Sequence, residues 1–413
     1  ALLAVMLGRF HGVRGLLDRL KALGGRLGMH FKEVRGVRIR LGAGELVEVQ
    51  APYFLKARAK RGRKKRGPNG RGAYLSLEVL GFVDRCSARL ISEVAQMALL
   101  CPSFEVAREV LARGGVVLDI KTIRRLCARL GKRGLSARGE ISLCGTENVA
   151  GQTLVIGIDG GRLRERRRKR GRKKAGQRRQ GYHTDWKEPK LFTLYVLDEQ
   201  GQVAKAFHPL HDATMGDHEA MFAVLRRYLE ALDLSGVSKV VFCGDGAPWI
   251  LSGVEALCVQ LGLAPERTYQ VLDYTHAKQN LQEIIDLLPK RITAKQSLEK
   301  KWKTLLWQGD LKGLYQAIMK TITGKKARGK AQKKWQNYFA SNWHRLQYQR
   351  FEQAHIPCGS GCVESAIRRV INLRLKAPGS FWTKSMAECF LFLRSQLLSG
   401  RWDILIGNVA RNT

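Results

Sequence analysis

Between residues 74 and 131 apolar positions recur every three or four residues, which predicts helices. Phe104–Arg113 puts Val106, Ala107, Val110 and Leu111 on one face, with Ser103 placed as its N-cap. Gly114-Gly115 breaks that helix. A second one starts after Asp119, with Ile120, Ile123, Cys127 and Leu130 inward and Lys121, Arg124, Arg125 and Arg129 outward. Two short helices about a Gly-containing turn, the second basic outside, form a helix-turn-helix pattern. An ordinary helical hairpin with a solvated basic face fits the same residues equally well.

From residue 153 the period changes. Thr153–Ile158 (TLVIGI) and Lys239–Cys243 (KVVFC) are continuous apolar runs of buried-strand type. Leu191–Leu197 and Val203–His208 read as strands about the turn Glu199-Gln200-Gly201, and Thr268–Leu272 reads as a fifth. Residues 217–232 and 248–262 are helical between them. Three closely joined strands, then helix, strand, helix, strand, give an α/β class. After residue 276 strand signals stop for about eighty residues, and Leu281, Ile284, Trp302, Leu306, Trp335 and Phe339 follow helical spacing. Residues 277–354 carry 17 Lys/Arg against 5 Asp/Glu, a basic helical module inserted in the α/β domain. The expected divisions are 1–73 (N-terminal region with a basic arm), 74–150 (helix-turn-helix-like), 151–276 (first part of the α/β core), 277–354 (insertion) and 355–413 (final helical part).

Charge narrows the partners. The 413 residues hold 73 Lys+Arg against 35 Asp+Glu, a net +38 that a polyanion would neutralise. Two runs concentrate it. Residues 56–71 have nine basic residues and no acid, and 162–179 have twelve and one acid. No apolar run approaches the 18 residues of a membrane span, so no membrane partner is expected. Nine cysteines without CxxC pairs suit a reducing cytoplasm rather than a secreted disulfide scaffold.

Three carboxylates lie at element ends. Asp159 closes the first strand in IGIDGG, Asp245 follows the fourth in FCGDGAPW, and Glu364 opens the last helix in GSGCVESAIRRV. Acids at the ends of adjacent buried strands converge on one sheet edge, where an acid from a packed helix can join them. Beside Glu364, Val363, Ile367, Val370 and Ile371 form a buried stripe, which should turn the acid toward the sheet rather than water. Oxygen donors of this kind suit Mg²⁺ or Mn²⁺, and a pair of such ions can clamp a phosphodiester displacement. Taken singly, Asp159 and Asp245 beside glycines also read as plain turn residues. Asp273 and His276, at the end of the fifth strand, are candidates for an orienting role behind the carboxylates. Arg164, Arg166, Arg167, Arg168, Lys169 and Arg170 next to Asp159 are candidates for phosphate contacts, and Lys121, Thr122, Arg124 and Arg125 for base edges. Trp186 and Trp249 can stack on an unpaired base, with core packing the favoured role. His355, Cys358 and Cys362 have a loose zinc-like spacing but lack a fourth ligand.

With these residues in hand, the chain resembles bacterial insertion-sequence transposases of the DDE type, the ISKra branch related to the Mutator-like superfamily. The resemblance rests on LEVLGFVDRCSARLISEVAQMALLCPSFEVAREVL, the turn at 159–161, WKEPKLFTLYVLDEQG, GDGAPWI, the Asp-x-x-His at 273–276 and GSGCVESAIRRVINLRLKAPGSFW. Together these blocks span most of residues 75–400. The family's three acids match Asp159, Asp245 and Glu364, and its Cys/Asp-x-x-His element matches Asp273 and His276. Cys362 stands where the family has a small residue. The resemblance implies an RNase H-like catalytic fold with a helical insertion before the Glu. It also implies Mg²⁺-dependent strand cutting and transfer on double-stranded DNA (element ends and target), a homo-oligomer on that DNA, and a cytoplasmic, nucleoid-associated setting. Two other classes share some of these features: a catalytically silent DNA-binding relative, and an actin-like ATPase, whose second α/β half the sequence lacks.

Overall fold

A computed structural model of the chain describes residues 2–42, 44–56, 72–139, 148–171, 176, 180–289 and 295–411. Most of the first basic run, and residues 172–175 and 177–179 of the second, lie outside the described residues. The chain forms two compact units, Ala1–Arg138 with Arg401–Thr413, and Gly139–Gly400.

The first unit contains a long hairpin that the sequence reading left unassigned. Strands β1 (Met29–Arg40) and β2 (Leu46–Lys56) pair antiparallel from Met29↔Lys56 to Arg40↔Leu46, and the short β3 (Gly72–Ala73) joins β2. Val37, Ile39, Val49 and Ala51 are its buried residues, packed with Leu77 and Phe82. The helices Ala88–Leu100, Phe104–Arg113 and Ile120–Ser136 pack on one another in this unit. Both expected caps form: Val106 N donates to Ser103 Oγ at 3.1 Å, and Thr122 N to Asp119 Oδ1 at 2.8 Å. The last helix, Trp402–Arg411, belongs to this unit rather than to the final part of the α/β core. Its Trp402 is buried and its indole N–H donates to Ser92 Oγ at 2.7 Å, which ties the chain end to the helices above.

The second unit is built on a five-stranded mixed sheet. Its strands are β4 (Thr153–Gly160), β7 (Lys190–Leu197), β8 (Leu210–Thr214), β9 (Lys239–Gly244) and β10 (Thr268–Leu272), in the spatial order β10-β9-β4-β7-β8. β7 runs antiparallel to β4 and β8, while β4, β9 and β10 are parallel to one another. A separate hairpin, β5 (Leu163–Arg168) with β6 (Tyr182–Lys187), grows out between β4 and β7. One expectation is corrected. The third sheet strand is Leu210–Thr214, and Val203 makes only an isolated bridge to Leu197. The start of the second basic run is strand, with Leu163 and Glu165 buried and Arg167 and Arg168 exposed.

One face of the sheet, with Leu154, Ile156, Phe192, Leu194 and Phe242, packs on the helices His218–Ala231 and Pro248–Gln260. The other face presents Val155, Tyr195, Val241, Cys243 and Val271. It shares one continuous core with Leu281 and Ile284 of the helix Tyr274–Ile285 and with Trp302, Leu306, Phe339 and Tyr348. The inserted module is therefore helical as its spacing predicts, and its core fuses with the sheet instead of standing apart.

Candidate active site

Strand register gathers the acids. In the parallel ladder Gly157 of β4 pairs with Cys243 of β9, and Leu272 of β10 pairs with Gly244. Asp159 and Asp245 each lie two residues past their paired positions, and Asp273 lies one past its own, so all three reach the same edge of the sheet. Asp273 N donates to Gly244 O at 2.9 Å, which extends the β9–β10 pairing to the acid itself. The chain can turn away after Asp245 because Gly246 adopts φ 86°, the left-handed region open to glycine.

The fourth acid arrives on the helix Gly361–Ile367, which continues through a wide π turn over Arg368–Asn372. Two glycines of β4 and its turn let that helix approach. A Cβ on Gly157 would sit 2.9 Å from Val363 Cβ, and one on Gly161 would collide with Ile371 Cδ1. The π turn frees backbone carbonyls, and the buried Arg394 donates to Val370 O at 2.8 Å and to Arg369 O. Burial, then the charge of Arg374, brings its guanidinium down to about 10. Glu364 itself is exposed, which corrects the expectation that packing would turn it from water. It stands on the open rim of the edge, where Ser360 Oγ donates to its Oε1 at 3.0 Å.

Electrostatics connect these groups. Burial pushes the Asp159 carboxyl up to about 6; the Gly160 amide and His276 oppose the rise, and the like charges of Asp245 and Glu364 add to it. Asp159 therefore feels both other acids and one imidazole. Asp273 is spoken for: almost fully buried, it accepts from Thr275 N, His276 N and Ser360 N at 3.2–3.3 Å, and lies 2.7 Å from His276 Nδ1. The Nδ1–Asp273 contact fixes the orientation of this partly exposed ring and directs its Nε2 away from Asp273. The helical module reaches the same edge. Burial first, then the charges of Asp273 and Asp245, raise the Tyr338 phenol above its usual range. Among the described residues, no group of three or more His, Cys, Asp or Glu side chains is gathered tightly enough to hold an ion as it stands. The donor set is of the right kind, since carboxylate oxygens that repel one another suit a hard divalent cation.

The sequence reading missed Ser360, whose backbone N–H fixes Asp273 while its hydroxyl holds Glu364. The Gly-Ser-Gly entry to the helix was its only signal. Glu388, the acid of the helix Lys384–Leu398, accepts from Thr214 Oγ1 at 2.8 Å and Met215 N at 2.5 Å.

The candidate phosphate-contacting residues lie on the hairpin and just beyond it. Arg164 packs on Trp186 and Phe381, Arg167 pairs with Asp185, and Arg168 Nε donates to Gln180 Oε1 at 3.0 Å. Arg166 is half-buried, and Lys169 and Arg170 are exposed. Trp186 is 50% exposed, not a core residue. Trp249 is half-buried against Phe222, with Lys190 Nζ 4.1 Å from its ring centre. In the first unit Lys121 is exposed, the Thr122 hydroxyl donates to Asp119 at 2.8 Å, and Arg124 lies over Phe104. Arg125 Nε pairs with Asp84 at 2.9 Å, and Arg129 joins the same carboxylate. The outward face of that helix is thus partly held by its own neighbours.

No family model matches the chain, and no curated protein does. Among solved structures, the Drosophila P element transposase strand transfer complex is 12% identical over 80% of this chain and 83% of that chain, with a TM-score of 0.27. That score is too low to transfer a fold or a role. No helix among the described residues is long and apolar enough to cross a membrane.

Proposed function

We propose that the protein is a DDE-type transposase of the insertion-sequence kind that its motifs resemble, cutting and joining DNA strands with Asp159, Asp245 and Glu364. The observation that carries this reading is the strand register that brings Asp159 and Asp245 to one sheet edge, with Glu364 near enough that its charge and that of Asp245 add to the burial-driven rise of Asp159. The strand order, with a single antiparallel strand inside an otherwise parallel set, is the one expected of an RNase H-like core and supports the finer reading of the sheet.

Asp159, Asp245 and Glu364 are the residues that would hold Mg²⁺ or Mn²⁺, which when bound would supply nucleophile activation and charge neutralisation for a phosphodiester displacement. The protein's own groups divide the remaining work. Asp273 fixes the His276 ring and leaves Nε2 able to take or return a proton at the carboxylate edge. Ser360 holds Glu364 at the rim. The arginines of β5 and the basic module supply sequence-independent phosphate contacts. The helix Ile120–Ser136 is the candidate reader of element ends, with Lys121 its most available side chain and Arg125 sharing its charge with Asp84. Assembly as a homo-oligomer on DNA belongs to the same proposal.

The test is incubation of the full chain with Mg²⁺ and duplexes carrying the sequences that flank its reading frame. The expected products are a free 3′-hydroxyl at the element end and strands joined to a target plasmid. Absence of any metal-dependent nick, with duplex binding intact, would favour a silent DNA-binding protein instead.

A further inference from the structure

The hairpin that follows Asp159 carries a face that phosphate binding alone leaves unused. Its register pairs Arg164 with Trp186, Arg166 with Thr184 and Arg168 with Tyr182, so these six side chains share one face. The intervening pairs, Leu163↔Lys187, Glu165↔Asp185 and Arg167↔His183, belong to the other face, where Arg167 is neutralised by Asp185. Residues around Trp382 extend the hairpin: Arg166 N donates to Trp382 O at 2.7 Å, and Trp382 N to Arg164 O at 3.0 Å. This brings Phe381 onto the arginine face, 5.8 Å from Tyr182 between ring centres and 4.6 Å from the Arg164 guanidinium. The guanidinium carbons of Arg162 and Arg164 lie 5.2 and 5.5 Å from the centre of the Trp186 ring.

An indole and a phenol each about half exposed, flanked by guanidinium planes, are costly to leave in water and add nothing to binding an intact duplex. Duplex bases are already stacked, and their faces are hidden. Unpaired bases offer both things this face is built to take: a π surface for Trp186 and Tyr182, and a phosphate chain for the arginines. The hairpin springs directly from the turn after Asp159, so a strand lying on it is led to the carboxylate edge. We propose that the Trp186 face of this hairpin is a stacking platform for unpaired nucleotides of a DNA strand entering or leaving that edge. The proposal deepens the reading above and rests on it for the identity of the strand.

The test uses the full chain without added metal, so it is independent of cleavage. Affinity is measured for a fluorescent oligo-dT of about twenty nucleotides and for a duplex of the same length, in the wild type, Trp186→Ala and Trp186→Phe. Loss of one stacked base is worth about 5- to 150-fold. Trp186→Ala should therefore weaken oligo-dT binding by that factor, leave duplex binding within about twofold, and be largely rescued by Trp186→Phe. An equal loss on both probes, or no loss, overturns the platform. Wild-type protein that binds duplex but not oligo-dT overturns it while sparing the proposed function, whereas binding to neither overturns both.

Discussion

Replacing Gly157 by alanine tests whether the sheet and the Glu364 helix are positioned by close approach. The added methyl would sit 2.9 Å from Val363 Cβ and 3.1 Å from Thr193 Cγ2. Val363 Cβ is fixed to a helix backbone and cannot rotate away, so helix or strand must move. Overpacking of this kind costs about 1–3 kcal/mol. Removing a glycine from the unfolded chain returns about 0.4–1 kcal/mol. The net expectation is a loss of about 1–2 kcal/mol, read in urea unfolding as a lower midpoint at unchanged m. DNA cleavage should fall as well, because the same shift carries Glu364 outward. Gly161→Ala provides the control. Its methyl meets the far end of a flexible side chain, Ile371 Cδ1, so its loss should be smaller and Ile371→Val should restore it. A Gly157→Ala protein as stable and as active as the wild type would refute the reasoning.

Three further outcomes follow from the site. Asp159 has a folded-state pKa above its unfolded value, so its contribution is favourable at acid pH and is lost as pH rises through about 6. Asp159→Asn should accordingly raise the thermal midpoint at pH 8 and leave it nearly unchanged at pH 4, in scans without divalent metal; a gain confined to pH 4 would contradict the assigned cause. Asp273→Ala removes the acceptor of three backbone N–H groups and the partner of His276, and should destabilise by about 1–3 kcal/mol in urea, more than Asp245→Ala at its half-buried position. Duplex affinity should fall roughly 10³-fold between 50 and 200 mM salt if six or more phosphates are contacted, and a flat salt titration would remove the basic runs from DNA binding.

The sheet was legible where strands are buried on both faces. TLVIGI and KVVFC are unbroken apolar runs, and such runs have few alternatives once glycines and turn residues bound them. The third strand was misplaced by several residues because it buries His211, Asp212 and Thr214, which carry no hydrophobic signal. Tyr228 OH donates to Asp212 at 3.2 Å, a partner that sequence order does not reveal. The β1–β2 hairpin escaped for the opposite reason: most of β1 is exposed and interleaved with charge, so alternation is weak. At the site, Asp159 and Asp245 could be found because strand ends bring acids together. The roles of Gly157, Ser360 and Asp84 depend on contacts between distant segments, and only the folded chain reveals them.

The most direct test of the account is Mg²⁺-dependent strand cleavage by Asp159→Asn, Asp245→Asn and Glu364→Gln, each measured beside its duplex affinity. The account predicts that all three lose cleavage while binding stays near the wild-type value. A variant that binds normally and cuts at close to the wild-type rate would contradict the claim that these three carboxylates form one site.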